Sequence, residues 1–480
     1  MKYNGVLLHI SCLPNNCGIG SLGGSAFSFV DFLAASGVDF WQTLPLSMTA
    51  YGDSPYQSPS AFAGNPYFID IDLLIGEGLL HRGEVDVTVG RGIDYGALFT
   101  DRYALLKKAF ARFAPDDEYF GFVRDNAFWL EDFALFTALK AKFDFKAFIE
   151  WPEKFRFKQN LSETDLSELR PEADFHKFLQ YFFDKQLRAL KTYAEAKGVR
   201  LIGDLPIYVA YDSADVWADS GLFLLDKNLR PVEVAGVPPD YFSATGQLWG
   251  NPLYDWAAHK KQNFKWWHAR LRHQLKYFDK IRIDHFRGFE SYYKIPYGLE
   301  DATVGKWAKG VGLKVFEGIK KEIDGKIIAE DLGVITQNVR KLVILSGFPS
   351  MRVYQFAFDG KPDNEHLPEN LARDNIVYYT GTHDNDTLLG WYGGLSEITK
   401  AQIRAEAGAA DGNITEAVLK TVMSSRADLV IVPMQDYLKE GGEARMNTPS
   451  TIGGNWLYRL PADYKKSAPI IKEAVKYRKI

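Results

Sequence analysis

The sequence has very little cysteine, with only Cys12 and Cys17 among its 480 residues. Two thiols cannot build the disulfide framework of a small secreted domain, and no second pair accompanies them to form a zinc site. We expect both to be free thiols. With 46% hydrophobic residues, the chain is long enough to bury a sizeable core without cross-links.

The sequence also lacks a strong excess of charge and any long apolar run. Its formal net charge of −4 indicates no basic surface, so we expect neither nucleic acid nor a membrane as a partner. No uncharged stretch approaches the roughly 18 to 20 residues of a membrane span, and the N-terminal run MKYNGVLLHISCLP has no small-residue cleavage site. We therefore expect a cytoplasmic protein that binds a small neutral or polar molecule.

Eight short runs of β-branched and apolar residues end abruptly in polar residues. Helix-like segments lie between them, for example residues 25–37 and 303–325. This alternation predicts a parallel sheet of the α/β class, and eight repeats predict a closed (β/α)8 TIM barrel. The runs are GVLLHISCLP from Gly5, VDFWQTLPL from Val38, VRLIGDLPIY from Val199, KIRIDHFRGF from Lys280, KIIAEDLG from Lys326, SMRVYQFAF from Ser350, NIVYYTGTHDND from Asn375 and DLVIVPMQDYL from Asp428.

Two connections between the predicted strands are too long for a single crossover helix. Residues from about 47 to 197 contain several amphipathic helical patterns, and residues from about 208 to 279 are richer in Gly, Pro and aromatic side chains. The strand pattern resumes after each connection. We therefore predict one TIM-barrel domain over residues 1–480, with large, mostly helical insertions on the C-terminal (loop) face of the barrel.

The run KIRIDHFRGF alternates apolar and charged residues. Residues two apart on a strand share a face, so Ile281 and Ile283 are expected to pack outward while Arg282 and Asp284 point into the barrel. The guanidinium of Arg282 favours the ionised form of Asp284, which can then act as a nucleophile. The alternative is a structural ion pair, although desolvation opposes the Coulomb gain of such a pair.

Other predicted strands also end in acidic or imidazole side chains, and in a TIM barrel the carboxyl ends of the strands carry the chemistry. Loop solvation or helix capping explains any single case, but four strand ends are hard to explain by capping alone. These residues are Asp204, Glu330, Asp331, His383 and Asp384 on three of the strands, and Asp284 ends the fourth.

Two carboxyl groups of unlike character indicate glycosyl transfer. Asp284 and Glu330 lie on consecutive predicted strands, and strands roughly 4.8 Å apart can hold carboxyls at the roughly 5 to 5.5 Å of a retaining enzyme. Glu330 follows the apolar run KIIA, a setting that raises a carboxyl pKa. This predicts Asp284 as the nucleophile and Glu330 as the general acid/base.

Eight motifs occur in order along the chain, and they include the strand ends RIDHFRGF, IIAEDLG and GTHDNDT. Together they resemble glycoside hydrolase family 77, the 4-alpha-glucanotransferases also called amylomaltases or disproportionating enzymes. The resemblance covers essentially the whole chain, and one departure is Ser450, where Gly is expected. The motifs are LLHISCLPNNCGIGSLG, GDSPYQSPSAFAGNPYFI, GDLPIYVAYDSADVWA, GVPPDYFSATGQLWGNPLYDW, RIDHFRGF, IIAEDLG, GTHDNDT and ARMNTPSTIGGNW.

The resemblance implies Asp284 as nucleophile, Glu330 as general acid/base, and Asp384 as a third carboxylate that binds and distorts the reacting sugar. It also implies substrate contacts from Arg282, His285, His383 and Asp212. A sugar has an apolar C–H face and a polar rim, so flat rings stack on it while amides bind its hydroxyls. Our candidates for these contacts are Tyr56, Tyr241, Phe242, Trp249 and Tyr354, with Gln247, Asn251 and Asn455 as polar neighbours.

The expected activity is transfer of an alpha-1,4-glucan segment, through an ester on Asp284, to the 4-hydroxyl of another glucan, a maltooligosaccharide or glucose. We expect no cofactor and no metal. Two alternatives stay open. One is a hydrolase of the same clan, in which water intercepts the intermediate, and the other is a glucan-binding protein with an inactive site.

Two further patterns suggest other chemistry. Gly18, Gly20 and Gly23 match the G-x-G-x-x-G dinucleotide motif, but CLPNN separates them from the strand and the second strand ends in TLPL with no acid for a ribose. The His and Asp residues at the strand ends are possible ligands of a metal hydrolase, but they lack metal-ligand spacing, and Arg282 beside a divalent cation is repulsive.

Overall fold

The computed structural model describes residues 2–49, 51–85, 92–239, 243–371 and 375–479. Twelve strands form within these residues. They are β1 (Tyr3–Leu7), β2 (Phe40–Gln42), β3 (Arg200–Leu205), β4 (Glu233–Val237), β5 (Gln247–Pro252), β6 (Lys280–Ile283), β7 (Ser291–Pro296), β8 (Lys306–Lys309), β9 (Ile327–Ala329), β10 (Ser350–Val353), β11 (Ile376–Tyr379) and β12 (Leu429–Pro433).

Eight of the strands close into a parallel barrel in the order β1-β12-β11-β10-β9-β6-β3-β2. Seven of the barrel strands fall within predicted runs, and β1 begins two residues before the run from Gly5, so the predicted barrel is confirmed. The strands are covered on both faces, and every residue of β2, β9 and β11 is buried. This explains why most of the runs, unlike KIRIDHFRGF, read as continuous apolar segments.

Helices surround the barrel and fill most of the first long connection. A long pair, Asp117–Lys142 and Glu163–Ala196, packs together there. Ser162 starts the second of these in a capping box, because its side chain accepts from the Asp165 N–H while Asp165 accepts from the Ser162 N–H. The other α-helices are Gly24–Ala35, Ile71–Gly76, Tyr95–Ala97, Tyr103–Arg112, Glu153–Arg156, Ala214–Ala218, Trp256–Lys261, Lys265–Gln274, Lys314–Glu317, Lys320–Ile323, Gln337–Ser346, Leu388–Gly393, Glu397–Ala407, Ile414–Ser424, Met434–Leu438 and Ala468–Arg478.

A second, antiparallel sheet has the order β5-β4-β7-β8 and was not predicted. Its strand β8 occupies residues 306–309, so the helix expected over 303–325 is wrong there and survives only as Lys314–Glu317 and Lys320–Ile323. Glycine explains the difference. Gly310 lies so close to the backbone of Phe289 that a Cβ at this position would be 2.2 Å from the Phe289 carbonyl oxygen. Only glycine fits this close approach, which the chain makes directly after β8.

None of the described helices combines the length and apolarity needed to cross a membrane. The helix predicted over residues 25–37 is present as Gly24–Ala35.

Candidate active site

Strand β6 and the turn after it carry the first part of the site. Arg282 lies opposite Asp204 of β3 in the strand register. Its Nη1 donates to both carboxylate oxygens of Asp204 at 2.8 Å, and its Nη2 lies 2.9 Å from Oδ1 of Asp284. Ile281 and Ile283, on the other face, are fully buried. The arrangement expected from strand alternation is therefore present.

Asp204 is an additional member of this network. Its side chain has no exposed surface, and its Oδ2 accepts a hydrogen bond from the Tyr56 hydroxyl at 2.9 Å. From the sequence, Asp204 is predictable as a strand-end acid but not as a member of this network. The structure shows that Arg282 is shared by two carboxylates rather than reserved for Asp284.

The Asp284 carboxylate is accessible while its partners are buried. About 30% of its side chain is exposed, compared with 5% for Arg282. Burial raises the pKa of Asp284 above its usual value, and the charge of Arg282 acts against that rise. The ionised form thus has a cation in direct contact, and part of the side chain stays exposed.

Glu330 follows β9, which neighbours β6 in the barrel. Its two carboxyl oxygens accept hydrogen bonds from the backbone N–H groups of His285 at 2.6 Å and Leu332 at 2.8 Å. Burial and then the negative charge of Asp284 raise the pKa of Glu330 to about 7. The site therefore holds one carboxyl paired with a cation and another that is protonated in part at neutral pH.

His285 connects the two carboxyl groups through an unusual backbone. Its φ of 50° and ψ of 47° lie in the left-handed region, which non-glycine residues seldom adopt. This turn presents the His285 N–H to Glu330, and the ring meets Trp249 edge-on at 4.8 Å between centroids. Strained backbone of this kind clusters at functional sites.

Asp384 follows β11 and carries the third carboxylate, of which 45% is exposed. Its Oδ1 accepts from Asn447 Nδ2 at 2.6 Å and lies 3.3 Å from His383 Nε2, while Arg445 Nη2 donates to its backbone carbonyl at 2.6 Å. Sequence reasoning missed Asn447 and Arg445. The available signal was the motif ARMNTPST, which contains both of them.

An aromatic wall joins the Asp204 side of the site to the Asp384 side. The rings of Tyr56 and His383 stack at 5.1 Å with an interplanar angle of 11°, and Trp456 lies 5.9 Å from each of them. Flat side chains arranged beside carboxylates are suited to a sugar ring, which has apolar faces and hydroxyl edges.

Comparison with known proteins identifies the family of this chain. The sequence model of the family described as 4-alpha-glucanotransferase, glycoside hydrolase family 77, matches residues 8–464. The chain belongs to this family. It is 46% identical to the 4-alpha-glucanotransferase of Clostridium butyricum, with 94% of this chain and 95% of that protein covered, and 46% identical to that of Thermus thermophilus, with 95% and 94% covered.

A solved structure of the same family agrees with the fold over its whole length. Amylomaltase from Streptococcus agalactiae in complex with acarbose superposes with a TM-score of 0.96 at 39% identity, covering 100% of this chain and 99% of that one. Pullulanase from Paenibacillus barengoltzii is similar at 13% identity and a TM-score of 0.52, which shows a shared barrel fold alone.

In this glycoside hydrolase family 77 chain, Trp249 lies on strand β5, beside His285 in the turn after β6. Trp249 is half-buried, and its indole N–H donates to Gln247 Oε1 at 3.0 Å. Asn251 is buried and donates to the Val209 carbonyl at 2.8 Å, while Gln57 donates to Asn251 Oδ1 and to the Trp249 carbonyl. Asn251 and Gln57 therefore hold strand β5 in place, and the binding of sugar by Trp249, Gln247 and Asn251 stays a prediction.

Tyr354 differs from its predicted role as a sugar platform. Its side chain is fully buried, packs edge-on against Phe358 and Trp391, and donates its hydroxyl to Glu406 at 2.6 Å. A ring enclosed in this way offers no face to a sugar. The sequence did not separate the two cases because SMRVYQFAF places Tyr354 directly after a strand, where core and cavity positions alternate.

Two other predicted contacts are engaged with the protein itself. Asp212 accepts from Lys140 Nζ at 2.5 Å and from the Phe148 N–H at 2.9 Å, which ties the first insertion to the loop after β3. Asn455 accepts from the Thr448 N–H at 2.9 Å. Their binding of substrate stays a prediction. Tyr241 and Phe242 lie outside the described residues.

Two features of loops follow from backbone geometry. Ser450, where the family resemblance leads one to expect Gly, has a φ of 64°, a region that favours glycine.

In the G-x-G-x-x-G segment, a Cβ at Gly20 would lie 1.8 Å from the Ile10 carbonyl oxygen, and one at Gly23 would lie 2.1 Å from the Asp70 carboxylate. These glycines therefore let the loop pack on its neighbours.

Asp331 serves a different part of the barrel from Glu330. It accepts from the Met351 N–H at 2.8 Å and lies 3.3 Å from Arg352, and burial raises its pKa to about 6.

In the part of the chain that the structure describes, no group of three or more His, Cys, Asp or Glu side chains is placed to hold a metal ion.

Proposed function

We propose that this enzyme is a retaining 4-alpha-glucanotransferase that uses Asp284 as nucleophile and Glu330 as general acid/base. The observation that carries the proposal is the unlike pair at the ends of neighbouring strands β6 and β9. Asp284 contacts Arg282 at 2.9 Å, and the pKa of Glu330 is raised to about 7. One carboxylate and one protonated carboxyl are what a double displacement at a sugar C1 requires.

In the first half of the reaction, a carboxylate oxygen of Asp284 attacks C1 of the glucosyl residue to be transferred. The bond from C1 to the glycosidic oxygen breaks, its electron pair stays on that oxygen, and the oxygen takes the proton of Glu330. The products are a glycosyl ester on Asp284, ionised Glu330, and a shortened glucan with a free 4-hydroxyl.

In the second half, the 4-hydroxyl of an acceptor attacks C1 and gives its proton to Glu330. The ester bond breaks, and its electron pair returns to Asp284 as the carboxylate. Two inversions at C1 retain the alpha configuration. We propose that alpha-1,4-glucans and maltooligosaccharides serve as donors, and that these sugars or glucose serve as acceptors.

Asp384 and the aromatic wall are proposed to hold the reacting sugar. The Asp384 carboxylate, fixed by Asn447, has exposed surface for accepting hydrogen bonds from sugar hydroxyls. The stacked pair of Tyr56 and His383 lies beside it and supplies an apolar face. The binding of acarbose, recorded for the amylomaltase of Streptococcus agalactiae, supports a sugar site of this kind.

Incubation with maltotriose tests the reaction. A transferase produces glucose together with a ladder of maltooligosaccharides longer than maltotriose. A hydrolase of the same clan, which forms the same ester but passes it to water, produces glucose and maltose alone. A protein that only binds glucans leaves maltotriose unchanged.

Two substitutions test the assigned roles. Asp284→Asn removes the nucleophile but keeps a side chain of similar size, so turnover should vanish while maltooligosaccharide binding, measured by calorimetry, persists. Glu330→Gln should slow both halves of the reaction by about 100-fold or more, since general acid–base catalysis contributes roughly 10² to 10⁴ in rate. Normal transfer by either variant would refute the corresponding role.

A further inference from the structure

Arg287 lies three residues after Asp284, in the 3-10 turn Phe286–Phe289, and is buried. Its Nη1 donates to the backbone carbonyl of Val334, and its Nη2 donates to Ser291 Oγ at 3.3 Å. Its guanidinium carbon lies over Trp307, 4.0 Å from the ring centroid. The mechanism above gives this cation no task.

The contacts of Arg287 join three separate segments. The first is the turn after the nucleophile, the second is the loop that runs from Glu330 to Val334, and the third is edge strand β8, which carries Trp307. Strand β8 is itself tied to the turn, because the N–H of Gly310 donates to the Glu290 carbonyl at 2.6 Å and the N–H of Gly312 donates to the Phe289 carbonyl at 2.7 Å.

The loop held by Arg287 sets the position of Glu330. The Leu332 N–H, two residues before Val334, donates to Glu330 Oε1 at 2.8 Å. The other oxygen is fixed by His285, whose N–H belongs to the nucleophile turn. A displacement of the loop at Val334 therefore moves Leu332 and changes where the acid/base carboxyl lies relative to Asp284.

We propose that Arg287 is a positioning residue for Glu330, which it serves by clamping the loop after Glu330 onto the turn after Asp284, with Trp307 as the outer cap of this clamp. The inference rests on the proposed function, since it takes Glu330 as the acid/base. Arginine suits the task because one planar group offers a face to the indole and N–H donors at its edge. Trp307 is 41% exposed, so it closes the clamp from the solvent side.

Burial of this cation is unfavourable on its own. Desolvation lowers the pKa of Arg287, and only the charges of Glu290 and Glu330 act in the opposite direction. A buried guanidinium that donates to a backbone carbonyl and a hydroxyl gains less than one paired directly with a carboxylate. A positioning role explains why a costly group occupies this place.

The test compares two reactions of the same enzyme. Transfer between maltotriose molecules needs Glu330, and transfer from alpha-maltosyl fluoride to azide does not. Transfer from maltotriose needs a proton for the leaving oxygen and a base for the acceptor hydroxyl. In alpha-maltosyl fluoride, the C1–F bond breaks to release fluoride without a proton, while Asp284 forms the ester. Azide then attacks C1 without a base and releases the Asp284 carboxylate. The fluoride and azide pair thus requires the nucleophile and bypasses the acid/base.

We expect Arg287→Met to lower kcat with maltotriose by about 100-fold, the size of loss that follows a misplacement of about 1 Å, and to stay within about threefold of the parent with fluoride and azide. Arg287→Lys should recover part of the maltotriose activity, since a lysine can still donate to Val334. Trp307→Ala should show the same selectivity with a smaller loss. It changes an exposed side chain, and it decides the question if Arg287→Met does not fold.

Arg200→Met is the matched control. Its guanidinium carbon lies 3.9 Å from the Phe40 ring centroid, at the first residue of β3 and therefore at the opposite end of the barrel. Loss of this arginine–aromatic contact should leave the ratio of the two activities unchanged. If Arg287→Met and Trp307→Ala lose both activities equally, or lose neither, Arg287 does not position Glu330.

Glu330→Gln separates failure of this inference from failure of the proposed function. If fluoride and azide do not restore Glu330→Gln, the acid/base assignment itself is wrong. If they restore Glu330→Gln but not Arg287→Met, the assignment holds and the positioning role of Arg287 is refuted.

Discussion

Glu330 is expected to make the protein less stable as the pH rises from about 4.5 to about 7. Its pKa is about 7 in the folded protein, compared with 4.5 for an ordinary glutamate. Between these values the folded protein keeps a proton that the unfolded chain has released, so raising the pH favours unfolding. The stabilisation is complete below pH 4.5 and is lost above pH 7. A difference of about 2.5 pH units corresponds to about 3 kcal/mol.

The perturbation that reveals this effect is Glu330→Gln, because an amide does not titrate. We expect the free energy of unfolding of the variant, minus that of the parent, to increase by about 3 kcal/mol between pH 4.5 and pH 8. The oxygen of the new amide can accept from only one of the two N–H groups of His285 and Leu332, and its NH2 group faces the other, which adds a cost that does not depend on pH. The informative quantity is therefore the change with pH and not the value at one pH.

Urea unfolding at a series of pH values, followed by tryptophan fluorescence and circular dichroism, measures this difference. Parallel curves for the two proteins would refute the reasoning. They would mean that Glu330 is ionised in the folded protein at neutral pH, so that no proton donor is present at this position when the reaction begins.

Three further predictions follow from individual contacts. Arg282→Met leaves Asp204 and Asp284 without their shared cation and should lower the free energy of unfolding, measured with urea, by roughly 3 to 5 kcal/mol. Adding Asp204→Asn to this variant should recover part of the loss. Additive losses from the two substitutions would contradict the shared network. Asn447→Ala removes a 2.6 Å hydrogen bond to Asp384 and should lower kcat/KM for maltotriose by about tenfold; an unchanged value would exclude a role for this contact. Trp249→Ala should raise the KM for maltotriose by up to about tenfold. Tyr354→Phe should leave this KM unchanged and should lower the free energy of unfolding by about 1 kcal/mol, because the hydrogen bond to Glu406 is lost. A raised KM for Tyr354→Phe with an unchanged KM for Trp249→Ala would show that Tyr354 binds the sugar.

The barrel could be predicted because its strands follow a simple physical rule. Most of the strands are buried on both faces, so most are short apolar runs that stop where the chain reaches the polar end of the barrel. The antiparallel sheet could not be predicted in this way. Strand β8 has the pattern KWAK, with mostly exposed side chains, and its place is set by pairing with β7 and by the close approach of Gly310.

The positions of Asp284, Glu330 and Asp384 after barrel strands could be predicted from the sequence, but their partners could not. The contacts of Asp204 with Tyr56 and of Asp384 with Asn447 join residues 148 and 63 positions apart. No local pattern encodes such pairs. Tyr354 shows the converse limit, because the sequence cannot tell a ring that lines the cavity from one that packs behind it.

The central claim is that Asp284 forms a covalent bond with the sugar, and trapping that bond tests it most directly. Glu330→Gln should accept a maltosyl group from alpha-maltosyl fluoride, which needs no acid, and should release it slowly, because no base activates the acceptor. Mass spectrometry of the quenched protein, followed by peptide mapping, should find one maltosyl group on Asp284. A maltosyl group on any other residue would contradict the account.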